Sequence, residues 1–119
     1  MAIPDSNKTA VVDVDGTILT TPGRDYSNSQ PKMEVVKGLR ELKKAGWYII
    51  LHTARGMGRS NGDIESVREQ VTQEITSFCE RFDVPYDELI LGKPWAKIYI
   101  DDRGLRPEEF AAKYTEFLK

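Results

Sequence analysis

The sequence predicts an α/β domain: a parallel sheet in three layers, with helices on both faces. Two observations carry this. Apolar, strand-like runs alternate with stretches of helical period along the chain, the order that builds parallel sheets. Three strand candidates also stop at polar residues, Asp13, Thr53 and Asp101. In open parallel sheets, ligands bind beyond the carboxyl ends of the strands.

Each element has its own signal. Residues 8–13 are β-branched and apolar, end on an acidic pair, and read as strand one. Residues 18–31 hold Gly, Pro, Asn and Ser and read as a loop or small flap. Helix one starts at Pro31 as its first-turn proline, lines Met33, Val36, Leu39 and Leu42 along one face, and stops at Gly46. Residues 47–53 form strand two, nearly continuous in apolar residues as a doubly covered strand should be. Residues 54–63, with Gly56, Gly58, Gly62, Arg55 and Arg59, read as a mobile loop.

Helix two runs from about Asp63, a candidate N-cap, to Arg81. Ile64, Val67, Val71, Ile75, Phe78, Cys79 and Phe82 recur there on one face. Residues 88–91 and 97–101 are strands three and four. Helix three begins near Pro107 and turns Phe110, Ala111, Tyr114 and Phe117 or Leu118 inward.

Composition narrows the class. A chain of 119 residues has room for one domain, residues 1–119, and one core. Its 39% hydrophobic and 30% charged residues are those of a soluble globular protein. No apolar run approaches the roughly 20 residues of a membrane span. Residues 1–8 lack the apolar core of an export signal, so a cytoplasmic location is expected. The single cysteine, Cys79, has no internal partner, which suits a reducing compartment. A net charge of −2 without a Lys/Arg cluster argues against a nucleic-acid partner.

The chemistry lies in the polar residues that the strand ends bring together: Asp13 and Asp15, Thr53, Lys93 or Lys97, and Asp101 with Asp102. Carboxylates at the end of a buried strand need a cation, because an unpaired buried charge is costly. Gly16 lets the chain turn sharply and approach a ligand. The set suits a hard cation such as Mg²⁺ with a phosphate group. A carboxylate nucleophile and a phosphate dianion repel each other by roughly several kcal/mol at contact, so a metal and a lysine are needed between them. Asp13 would attack phosphorus, and Asp15 would protonate the leaving alcohol and then activate water. Lys93 is preferred to Lys97, a surface charge on this reading, because it precedes a proline that starts a turn at the site.

Four separated motifs, in order, resemble the haloacid dehalogenase superfamily of phosphatases. They are Asp13-Val14-Asp15-Gly16-Thr17, Ile49-Ile50-Leu51-His52-Thr53, Lys93-Pro94, and Ile98-Tyr99-Ile100-Asp101-Asp102. The resemblance implies a Rossmann-like sheet of strand order 4-1-2-3, with Asp13 as nucleophile and Asp15 as general acid and base. Thr53 would hydrogen-bond the phosphate, and Lys93 would neutralise charge. Gly16, Thr17, Ala54 and Arg55, beside these motifs, are the candidate substrate-binding residues. Mg²⁺ would be held by the Asp13 carboxylate, the Asp15 carbonyl and the final acidic pair. Asp102 is favoured as the direct ligand, with Asp101 acting through water or hydrogen bonds. Larger members insert a cap domain, for which neither gap here leaves room.

The residues 92–103, with Thr53-Ala54-Arg55-Gly56, look like a small capless subgroup described as phosphatases of capsule or surface-sugar biosynthesis. The implied substrate is a phosphorylated small molecule, a sugar phosphate or related metabolite. The open site then takes a bulky substrate or is closed by a second subunit, as a homo-oligomer.

His52 reads as a packed strand residue and Cys79 as inert core. Arg55 and Arg59 either grip a second anionic group or solvate the loop, and Trp95 either lines the pocket or covers the sheet edge. Arg103 pairs with the acids before it. Alternatives to the sugar phosphatase are a nucleotide or polynucleotide phosphatase and a catalytically silent binding module on the same fold. A phosphoryl-accepting receiver domain shares the residue inventory but not its order along the chain.

Overall fold

A computed structural model describes residues 5–119. The stretch read above for an export signal lies outside the described residues at positions 1–4. Strand β1 (Thr9–Val12) leads into a turn after Asp13 and a small antiparallel ribbon, β2 (Leu19–Thr20) with β3 (Gln30–Pro31). Helix α1 (Met33–Lys44), strand β4 (Tyr48–His52), helix α2 (Arg68–Phe82), strand β5 (Glu88–Ile90) and helix α3 (Pro107–Lys113) follow. The main sheet is parallel, in the order β1-β4-β5, with Val11 opposite Ile50 and Ile50 opposite Glu88.

Three of the four expected strands form, and they pair in the order expected for strands one, two and three. The fourth does not: residues 97–101 join no ladder, so the order 4-1-2-3 is not formed. The second departure follows from the first. Right-handed crossovers that step in one direction across a sheet place every connecting helix on the same face. The buried cluster accordingly unites Val14, Ile49 and Leu51 from one sheet face with Val36, Leu39 and Leu42 of α1 and Val71, Ile75 and Phe78 of α2. On the other face Val11 is 62% exposed and Ile90 39%. The helices cover one face, not two, because only a strand returning past β1 would carry chain across to the other.

Smaller differences have local causes. Pro31 closes the ribbon instead of opening the helix, and α1 begins at Met33. Gly46, at a φ of +91°, turns the chain out of α1 as expected. Asp63 precedes a 3₁₀ turn (Ile64–Val67) and makes no side-chain cap there, so α2 starts at Arg68. Helix α3 lies on α1 at Gly38, where a β-carbon would stand 2.7 Å from the Phe110 ring. No helix of the described residues is long and apolar enough to cross a membrane.

Candidate active site

Asp13 immediately follows β1, and Thr53 follows β4, the neighbouring strand. Their placement at one end of the sheet comes from parallel pairing, which aligns the carboxyl ends of both strands. After Asp13 the chain folds back at once. Thr17 and Ile18 donate their N–H groups to the Val14 carbonyl at 3.1 and 3.0 Å, and Gly16 takes a φ of +83°. Only glycine enters that conformation without strain. The turn brings the Thr17 hydroxyl to Asp13 Oδ2 at 3.2 Å. Asp15 is then carried to the same mouth, two positions on.

Lys93 arrives from the far side of the sheet. Its N–H donates to the Thr53 carbonyl at 3.0 Å, and its ammonium stands 3.5 Å from Asp13 Oδ1. The ammonium also lies over the Tyr99 ring, 4.3 Å from its centre, a cation–π contact that steadies it. Thr53 is buried, and its Oγ1 accepts the Arg55 N–H at 3.0 Å, which leaves the hydroxyl proton free to donate. His52 stands half-buried on the other side of β4. Burial first, and then the Lys93 ammonium, push its imidazole below the usual range, against an opposing pull from Asp13.

Arg55 does not solvate the loop. Its side chain is 2% exposed, and its guanidinium spans both oxygens of Asp15, at 2.7 and 3.1 Å. A second carboxylate, Glu74 of α2, lies 3.5 Å away. Tyr26, from the flap between β2 and β3, lays its ring 4.0 Å from the Arg55 carbon. Arg59 pairs with Glu74 at 3.2 Å and also faces Tyr26. The loop 54–63 is thus fastened to α2, to the flap and to Asp15. Gly16, Ala54 and Arg55 line the cleft with Asp13, Asp15 and Thr53. Thr17 does not line the cleft and touches Asp13 through its hydroxyl.

Three aromatic rings, Tyr26, Trp95 and Tyr99, complete the walls of the cleft. Trp95 lies against Gly58 so closely that a β-carbon there would meet its ring at 2.4 Å. Lys97 is exposed, and Arg103 touches Asp101 through its backbone N–H at 2.7 Å. Cys79 is buried, and burial pushes its thiol up to about 12.

A crystal structure of an MCSG target protein from Vibrio cholerae matches this chain with a TM-score of 0.85 and 36% identity, over 93% of this chain and 96% of that one. The chain belongs to that protein's family. A chain of the Pnkp1/Rnl/Hen1 complex matches with a TM-score of 0.54 at 24% identity, and one of the Pnkp1/Rnl/Hen1 RNA repair complex with 0.53 at 22%. This chain spans 37% and 32% of those two, so the likeness is one of fold. The fold is haloacid dehalogenase-like. No family model matches the sequence, and no curated protein does.

The acids expected around Mg²⁺ do not all come together within one chain. Mg²⁺ is held by about six oxygens, commonly from carboxylates and water. Asp13 and Asp15 stand at the mouth; Arg55 engages the Asp15 carboxylate, not the backbone carbonyl expected to reach the metal. Asp101 and Asp102 are exposed, and they neither line the cleft nor cluster with Asp13 and Asp15. Among the described residues no group of three or more His, Cys, Asp and Glu side chains comes together.

Tyr26, Glu74 and the pairing of Arg55 with Asp15 were missed by sequence reasoning. Asp15 and Arg55 are 40 positions apart, and no local pattern announces such a pair.

Proposed function

We propose that the protein is a phosphomonoesterase that passes the phosphoryl group through Asp13. The observation that supports this best is the approach of Lys93 to Asp13 at 3.5 Å, beside the Thr53 hydroxyl. A carboxylate flanked by an ammonium and a hydroxyl donor is a nucleophile with its electrostatic partners in place for an incoming dianion. An Asp13 oxygen forms a bond to phosphorus as the ester P–O bond breaks, and the leaving oxygen takes a proton from Asp15. Water then attacks phosphorus, gives a proton to Asp15, and frees Asp13 with inorganic phosphate. To reach the leaving oxygen, Asp15 must give up its pair with Arg55.

Mg²⁺ is the proposed cofactor, offsetting the charge of nucleophile and phosphate when bound. Asp13, Asp15 and the pair Asp101 and Asp102 are its proposed holders. The proposed substrate is a sugar phosphate or related metabolite of polysaccharide biosynthesis, in the cytoplasm, with residues 1–119 acting as one catalytic domain. A second reading, a nucleotide phosphatase, is favoured by the aromatic walls Tyr26, Trp95 and Tyr99, since such rings stack on bases as well as on sugars.

Purified protein with Mg²⁺ and an aryl phosphate should release phosphate, and Asp13→Asn should abolish release. Turnover that survives Asp13→Asn, or that ignores chelation, would sink the mechanism. Sugar phosphates and nucleotides assayed side by side decide between the two substrates.

A further inference from the structure

Strand β1 pairs with β4 along one edge, and among the described residues no strand pairs with the other edge. An open strand edge of this kind offers unpaired N–H and C=O groups to any extended segment. Val11 on this strand is 62% exposed. The same chain carries a segment that pairs with no strand, although its Tyr99 touches Lys93 and the Pro94 carbonyl. Residues 97–101 have the apolar, β-branched character of a strand, yet Ile98 is 65% exposed, Tyr99 53% and Ile100 91%.

The segment is poorly placed to fill the edge of its own β1. Seven positions, 91–97, separate the end of β5 from Ile98. Parallel strands need a crossover of about a dozen residues or more. The flanks are also fastened to their own body, Lys93 at Asp13 and Phe110 of α3 at Gly38. Between those anchors Ile98 and Ile100 stand exposed, and the exchange takes Tyr99 from its place over Lys93. A second copy has no such restriction of length, and a two-fold axis lets each copy give what the other lacks.

We propose that two copies of this chain exchange residues 97–101, each adding them as a parallel strand to the free edge of the other's β1. With Ile98 level with Ala10, Asp101 comes level with Asp13. The acidic pair of one copy then completes the set of acids that neither gathers alone. This step rests on the phosphatase reading; the exchange itself does not. In that register Ile98 and Ile100 come level with Ala10 and Val12, which pack against the core, Tyr99 comes level with Val11 on the other face, and the edge is closed.

Sedimentation velocity at micromolar concentration tests the exchange without reference to activity. The wild-type protein should be a dimer, and Ile100→Asp and Val11→Lys should each give a folded monomer by circular dichroism. A wild-type monomer, or a dimer indifferent to both substitutions, overturns the exchange. For the shared site, Asp13→Asn protein is co-expressed with the Asp101→Asn, Asp102→Asn double variant. Each is inactive alone, and random pairing should restore about a quarter of wild-type turnover, since half the dimers hold one intact site. No recovery beside an active wild type overturns the shared site. An inactive wild type that still forms the Ile100-dependent dimer overturns the phosphatase reading and leaves the exchange standing.

Discussion

Arg55 holds both carboxylate oxygens of Asp15 while its own side chain is almost wholly enclosed, 2% exposed. A planar fork on a planar carboxylate fixes orientation as well as charge. Arg55 therefore fixes where the Asp15 carboxylate rests, and under the proposed mechanism it is a positioning residue. Lysine keeps the charge but loses the fork. Arg55→Lys should lower kcat about ten- to a hundred-fold, the range of one or two charge-assisted hydrogen bonds, with a changed pH profile and little change in KM. Steady-state kinetics across pH check this, and an unchanged profile would show that Arg55 only packs.

Two glycines of the same loop should respond in opposite ways. At Gly56 φ is +91°, and a β-carbon would lie 2.8 Å from Val71 and 3.0 Å from Val67. Gly56→Ala should cost about 1–3 kcal/mol, read as a lower midpoint in urea. At Gly58 the added carbon meets only the exposed Trp95 ring. Gly58→Ala should leave the urea midpoint within about 0.5 kcal/mol of wild type and change KM by displacing that wall.

Acid should weaken the fold through Asp87. Burial opposes its charge, but Lys43, paired with one oxygen, and the Ile49 N–H, 2.8 Å from the other, outweigh it and hold the carboxyl below its usual range. A depressed carboxylate contributes its stability above the unfolded value, near 3.8, and loses it as pH falls through the folded value. Urea midpoints measured from pH 6 downward to about pH 3 should fall less in Asp87→Asn than in wild type.

Cys79 should resist alkylation. With its thiol pushed up to about 12 and its side chain in the core, the thiolate that would react is scarce at neutral pH. Iodoacetamide at pH 7.5 should modify it in urea and leave it intact in buffer, as mass spectrometry would show.

How far the sequence could be read depended on the range of the interaction concerned. Strands β1, β4 and β5 and helices α1 and α2 were legible because each is a local pattern: apolar runs, or Val71, Ile75 and Phe78 at helical spacing. The ribbon β2–β3 was not, since two-residue strands carry no period. Residues 97–101 show the opposite failure. Their composition states that they can form a strand, but a strand needs an edge within reach, and the short connection from β5 is a property of the path. At the site, the turn at Gly16 and the ends of β1 and β4 place Asp13 and Thr53 through local rules. The burial of Arg55 against Asp15, Glu74 and Tyr26 joins three distant parts of the chain, and neither glycines nor charge counts foretold it.

The seat of α3 on Gly38 has a consequence for how the chain folds. Phe110 occupies a space that exists because position 38 has no side chain, and the two residues are separated by more than half the length of the sequence. Contacts of such separation form late, since the intervening chain must first be ordered. As the chain leaves the ribosome, α1 emerges before α3, and its Gly38 surface waits, uncovered, until the residues of α3 are made. Until then the young protein depends on its surroundings to keep that surface from other chains.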